Sequence, residues 1–129
     1  LFIVDGAHNA GAADKMAESV RHYFNGKKLI YIMGVFADKE YKIVLEKTAH
    51  FAEKIYTIET PDNPRALPAE ELAKAARVYN SSAESTKSIK DAVEKAFSCA
   101  GDDENSVILA FGSLSFIGAL TNAVEEYVG

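Results

Sequence analysis

Apolar and polar positions along the chain follow two alternating periods. Short, mostly apolar runs at residues 1–4, 29–33, 55–58 and 107–111 have the length and continuity of strands buried on both faces. Between them the apolar residues recur at helical spacing. Ala13, Met16, Ala17, Val20 and Phe24 form one stripe, with Asn9 placed to cap its start and Gly26 just past its end. Tyr41, Leu45, Thr48, Ala49 and Ala52 form a second. Pro68 opens a third helix, and Glu70 and Glu71 suit its positive end. Ile89, Ala92, Val93, Ala96 and Phe97 mark a fourth, and Ile117, Leu120 and Val124 a fifth. Residues 78–80 read as one further short strand. Strands joined through helices of this length predict an α/β fold: a mostly parallel sheet with helices on both faces. With no linker, repeat or low-complexity stretch, residues 1–129 read as one domain.

The residues that ask for explanation fall in one class of place. Asp5-Gly6-Ala7-His8-Asn9 follows the first strand, and Gly34-Val35-Phe36-Ala37-Asp38-Lys39-Glu40 the second. Glu59-Thr60-Pro61-Asp62-Asn63-Pro64-Arg65-Ala66 follows the third, and Gly112-Ser113-Leu114 the last. In a parallel sheet these strand-to-helix loops share the carboxyl edge, where open α/β folds bind ligands. The opposite loops, Asn25-Gly26-Lys27 and residues 101–105, read as plain turns. Each loop taken singly has a structural explanation. Asp5 and Asn9 can cap a helix, Gly6 can supply a turn, His8 can be structural, Asp38 and Lys39 can be a solvated pair, and Ser113 can be an N-cap. Those explanations do not account for the shared edge. Helix N-termini there favour phosphates and carboxylates, Lys39 and Arg65 add positive charge, and Asp5 can accept from a hydroxyl or an ammonium. The set suits an anionic ligand with hydroxyl or amine groups, such as a nucleotide or an acidic amino acid.

Composition narrows the classes. The net charge of −5 argues against a free-standing nucleic-acid binder, which needs clustered Lys and Arg. The single cysteine, Cys99, lies in the apolar stripe of a helix and reads as a small core residue, with a reactive thiol as the alternative. One cysteine makes neither an internal disulfide nor a cysteine zinc site, which fits a reducing, cytoplasmic setting. No apolar run approaches the roughly 18 residues of a membrane span, and none reads as a signal peptide. A strand that begins at once, without an initiator Met, reads as a boundary within a longer polypeptide. Gly6 to Gly11 has the spacing that opens a Walker phosphate loop, but Ala12-Ala13 stands where Lys-Ser or Lys-Thr belongs. No Gly-x-Gly-x-x-Gly follows a strand, and no paired histidines suggest a metal; His22 and His50 read as surface or packing residues.

At Asp5-Gly6-Ala7-His8-Asn9 the sequence resembles the C-terminal domain of folylpolyglutamate synthase and the bifunctional dihydrofolate synthase, in the Mur ligase superfamily. Three further segments are similar in the same order. Gly34-Val35-Phe36-Ala37-Asp38-Lys39-Glu40 looks like the family's glycine-to-Asp-Lys-Asp loop. Pro64-Arg65-Ala66-Leu67-Pro68-Ala69-Glu70-Glu71-Leu72 looks like its Pro-Arg-Ala segment and following helix. Gly112-Ser113-Leu114 with Gly118 looks like its Gly-Ser-Leu segment. Ala10 stands where the family often has Pro, and Glu40 where it often has Asp; neither change removes a functional group.

The resemblance implies a Rossmann-like sheet of the Mur ligase C-terminal type. It implies one part of an ATP-dependent ligase that adds L-glutamate to folate through an acyl phosphate. It implies that an N-terminal ATPase domain of the same polypeptide carries the phosphate loop, the magnesium ligands and most of the folate site, with no metal held by residues 1–129. It casts Asp5 and His8 as catalytic, Asp5, Asn9 and Arg65 as nucleotide-binding, and His8, Lys39 and Ser113 as glutamate-binding. Two other functions stay open on the residues. One is a peptidoglycan-precursor amino-acid ligase of the same superfamily. The other is a non-catalytic anion-binding α/β domain.

Overall fold

A computed structural model describes residues 2–5, 10–37, 41–60, 64–101, 104–112 and 117–128. Five strands, β1 (Phe2–Asp5), β2 (Lys28–Gly34), β3 (Lys54–Thr57), β4 (Ala83–Ser85) and β5 (Ser106–Gly112), alternate with five helices. These are α1 (Ala10–Tyr23), α2 (Tyr41–Thr48), α3 (Ala69–Arg77), α4 (Ile89–Ala100) and α5 (Ile117–Val128). The strands form one sheet in the order β1-β5-β2-β3-β4, and every pairing is parallel.

The sheet is covered on both faces, which is why its central strands are apolar throughout. Leu29, Tyr31 and Met33 of β2 and Val107, Leu109 and Phe111 of β5 point into one core. That core is closed by Ala13, Met16 and Val20 of α1, Val44 and Leu45 of α2, and Leu72 and Ala76 of α3. The alternate residues Ile30, Ile32, Ile108 and Ala110 face a second core with Ala92, Val93 and Ala96 of α4 and Leu120 of α5. The period of two along each strand thus divides one apolar run between two layers. Cys99 is partly buried against the second core, as a small packing residue. His22 and His50 are exposed. Among the described residues no helix is long and apolar enough to cross a membrane.

Two elements depart from the sequence reading. The second helical stripe, which ran to Ala52, ends as an α-helix at Thr48 and tightens into a 3₁₀ turn at Ala49–Phe51. Thr48 turns its hydroxyl back onto the Val44 carbonyl (2.7 Å), while its own carbonyl accepts from the buried Tyr31 hydroxyl (2.8 Å). Burial pushes the Tyr31 phenol above its ordinary pKa.

Residues 78–80 are not a strand. The backbone N–H groups of Tyr79 and Asn80 both reach the Ala76 carbonyl, so the segment is the closing turn of α3. The β-branched and aromatic Val78-Tyr79 pair lies on its outside, with Val78 76% exposed. The strand in this region is β4, three residues later. Its sequence, Ala83-Glu84-Ser85, has little intrinsic strand preference. β3 and a charge cluster hold it in place: Glu84 accepts from Lys95 (2.9 Å) and Lys54 (3.2 Å), and those bonds lower its carboxyl pKa. Asn80 carries the connection. Its amide donates to the Ala49 and Ala52 carbonyls (2.8 and 2.7 Å), and its side-chain oxygen accepts from the Ser82 backbone N–H. The Ser82 hydroxyl donates to the same oxygen (2.5 Å), and Asn80→Ala removes all four bonds. The expected loss, read from urea denaturation, is about 2 kcal/mol, because the Ala52 carbonyl loses its side-chain donor and the Ala49 carbonyl keeps only the Ala52 N–H (3.2 Å).

Candidate functional site at the carboxyl edge

Parallel pairing brings the ends of all five strands to one side. The register places Asp5, Phe111, Met33, Thr57 and Ser85 in a single row from β1 across to β4. Gly34 and Gly112 stand opposite each other one step further on. Asp5, Gly34 and Gly112, read from the sequence as loop residues, are therefore the last residues of their strands. Gly34 has a packing reason. A Cβ there would collide with the Cδ1 of Ile58 and approach its Cγ1 to 2.9 Å, and Ile58 is itself fully buried. The absent side chain lets the loop after β3 lie directly over the end of β2. The opposite edge holds simple turns: Gly26 and Gly101 adopt positive φ, and Asn105 closes onto the Gly26 carbonyl (2.9 Å).

Two of the carboxyl-edge loops are joined to each other. Phe36, after β2, and Ala66, after β3, form an isolated antiparallel bridge. Its two hydrogen bonds run from Ala37 N–H to the Arg65 carbonyl (2.8 Å) and from Leu67 N–H to the Val35 carbonyl (3.0 Å). Val35 and Leu67 are buried and anchor the bridge in the first core. The exposed Arg65 guanidinium lies over the half-buried Phe36 ring, 4.6 Å from its centroid.

Thr57 fixes the neighbouring connections. Its hydroxyl donates to the Ala69 carbonyl at the start of α3 (2.7 Å), and its carbonyl accepts from both the backbone N–H and the hydroxyl of Thr86. Ser88 caps α4 through the Asp91 N–H (3.0 Å), while the Asp91 carboxylate accepts from the Lys87 N–H. Thr60, in the loop between β3 and α3, is buried with a hydroxyl that finds no hydrogen-bond partner among the described residues. A cleft of about 520 Å³ opens between these loops, α4 and α5. Its lysines, Lys87 and Lys90, are matched by Glu59 and Glu126, so it carries no preference for one sign of charge.

Of the residues singled out in the sequence, Asp5 is placed at the end of β1 and Arg65 over Phe36, both on the carboxyl edge. β5 lies between β1 and β2, so the strands bearing the Asp5 and Phe36 loops are separated by about 10 Å. His8, Asn9, Lys39 and Ser113 lie outside the described residues. α1 begins at Ala10, where a proline would be equally at home. Sequence reasoning gave no role to Phe36, Thr57 or Thr60. An aromatic residue in an otherwise polar strand-to-helix loop was the one visible signal for Phe36.

Comparison with known proteins accords with this architecture. A family model described as Mur ligase, glutamate ligase domain, matches residues 1–114. The chain is 29% identical over 122 residues to the dihydrofolate synthase/folylpolyglutamate synthase of Bacillus subtilis, covering 95% of this chain and 27% of that protein. It is 29% identical over 68 residues to the folylpolyglutamate synthase of Lacticaseibacillus casei, covering 53% of this chain and 16% of that protein. Among solved structures, the Mycobacterium tuberculosis folylpolyglutamate synthase complexed with ADP superposes with a TM-score of 0.83 at 25% identity, over 95% of this chain and 29% of that one. The Thermotoga maritima folylpolyglutamate synthase gives 0.74 at 26% identity, over 96% and 27%. The chain thus spans between 16% and 29% of the length of these relatives. With the family match over residues 1–114 and the same fold in both structures, the chain belongs to the Mur ligase family as a glutamate ligase domain.

Proposed function

We propose that this domain is the glutamate-side half of an ATP-dependent ligase that extends folate with L-glutamate, of the folylpolyglutamate or dihydrofolate synthase type. The single observation that supports the reading is that the parallel strands all lead into their helices from one sheet edge, in a chain of this family. In this reading an N-terminal ATPase domain of the same polypeptide supplies the phosphate loop, the magnesium ligands and most of the folate site.

The reaction transfers the γ-phosphate of ATP to a folate carboxylate. The glutamate amine then attacks the acyl phosphate, an amide forms, and phosphate leaves. An acyl phosphate hydrolyses easily, so water has to be kept out while the amine approaches. A domain closing over the cleft meets both needs, excluding water and orienting the reactants. Asp5 and His8 are assigned to the catalytic centre, Asp5, Asn9 and Arg65 to the nucleotide, and His8, Lys39 and Ser113 to glutamate. An exposed guanidinium beside a sheet edge lined with helix starts fits a phosphate-bearing ligand.

The test is phosphate release by the complete polypeptide with ATP and magnesium, adding L-glutamate and a reduced folate separately and together. Release that needs both is the expected result. Release only with a nucleotide-sugar acceptor transfers the domain to peptidoglycan-precursor synthesis. No release with either acceptor overturns the ligase reading in favour of plain anion binding.

A further inference from the structure

We infer that Gly34 is a positioning residue: by leaving room for Ile58 at the end of β2, it fastens the loops after β2 and β3 into one unit at the carboxyl edge. The inference rests on the ligand-holding role proposed for these loops and adds what sets their relative position. The chain that follows β3 grips the segment from Met33 to Ala37 twice. Where it leaves the sheet, the Ile58 N–H donates to the Met33 carbonyl (2.9 Å). Where it returns, the two bonds of the Phe36–Ala66 bridge take hold through Arg65 and Leu67. Both grips reach the interior, Ile58 in the second core and Val35 and Leu67 in the first. Gly34 stands between them.

Space, not backbone conformation, is what requires glycine here. Gly34 does not adopt a positive φ and continues β2 in register with Gly112, so other residues could take the same backbone. A Cβ would collide with the Ile58 Cδ1 and lie 2.9 Å from its Cγ1. Ile58 has little freedom to swing aside, because it is fully buried in a close-packed core and its N–H is bonded to β2. An added methyl therefore displaces the start of the loop after β3 while the bridge still holds its far end. The displacement passes to both loops, and a shift of about 1 Å in groups that hold substrate can cost a hundredfold in rate.

The experiment measures kcat/KM for ATP and for L-glutamate, per folded molecule of the complete polypeptide, in Gly34→Ala, Ile58→Ala and the double variant. Gly34→Ala is expected to lower both values at least about tenfold. Ile58→Ala removes both colliding carbons, so in that background Gly34→Ala should add nothing. Amide exchange at Ala37 and Leu67, the two donors of the bridge, should quicken in Gly34→Ala while the amides of β5 stay protected. Normal kcat/KM in Gly34→Ala overturns the inference, and so does a loss of equal size in the Ile58→Ala background. Unchanged exchange at Ala37 and Leu67 overturns the coupling of the two loops. If Gly34→Ala is too unstable to assay, Gly34→Ala/Ile58→Val is compared with Ile58→Val, which lacks the Cδ1. A smaller loss in the same direction supports the inference, and equal values overturn it. The exchange readout needs no substrate, so it separates this inference from the folate-ligase reading, which stands or falls on whether phosphate release needs both substrates.

Discussion

Replacing Asp5 or His8 with alanine in the complete polypeptide is expected to lower turnover at least about tenfold while leaving the denaturation midpoint in place. Tenfold is a floor, since a positioned acid–base or charge-stabilising group contributes about a hundredfold or more when it acts in the transition state. The expectation starts from position. Asp5 ends β1 at the carboxyl edge, in register with Phe111, and His8 follows within the same strand-to-helix connection. A residue that only capped α1 would behave differently. Losing a cap costs about 1 kcal/mol of stability and shifts the midpoint without a selective loss of turnover. The two explanations therefore separate in one pair of measurements, steady-state turnover and urea denaturation of each variant. Near-normal turnover in both variants would remove the catalytic assignments. A midpoint shift that accounts for the lost activity would return Asp5 and His8 to a structural role.

The parts of the fold legible in the sequence were those where burial forces a pattern. β2 and β5 sit in the middle of the sheet with helices on both faces, so nearly every residue along them is apolar. α1 and α4 bury one stripe each, and their spacing is plain. β4 was not legible, because an edge strand of three residues is held by Lys54 and Lys95 on Glu84 and by its neighbour β3, none of which is local in sequence. The neighbouring Val78-Tyr79 pair has strand preference but sits on the solvent side of a helix end, where preference is overridden. The same distinction holds at the site. Glycines, Asp5 and Arg65 stood out because loops with special backbone or charge requirements advertise them. The contact of Gly34 with Ile58, the Phe36–Ala66 bridge and the stack of Arg65 on Phe36 join separate loops, and no spacing along one loop encodes such a pairing.

Core and site meet at Phe111, and truncating it to alanine is expected to cost about 3–5 kcal/mol, a large share of the roughly 5–15 kcal/mol that stabilises a domain. The side chain is fully buried, and its ring stands edge-on to Tyr31 with centroids 4.9 Å apart at 87°. On the backbone it lies between Asp5 and Met33 in the row that ends the strands. A cavity there removes packing from beneath the carboxyl edge, so turnover per folded molecule should fall as well. Leu29→Ala makes the control. Leu29 is buried in the same core at the amino end of β2, and its loss should also destabilise by about 2–5 kcal/mol. Urea midpoints give the stability change, with unchanged slopes marking an intact unfolding transition. If Leu29→Ala and Phe111→Ala lower turnover equally once the folded fraction is matched, the row beneath the edge does not position the site. If only Phe111→Ala does, the packing of β5 against β1 and β2 sets the geometry on which the loops depend.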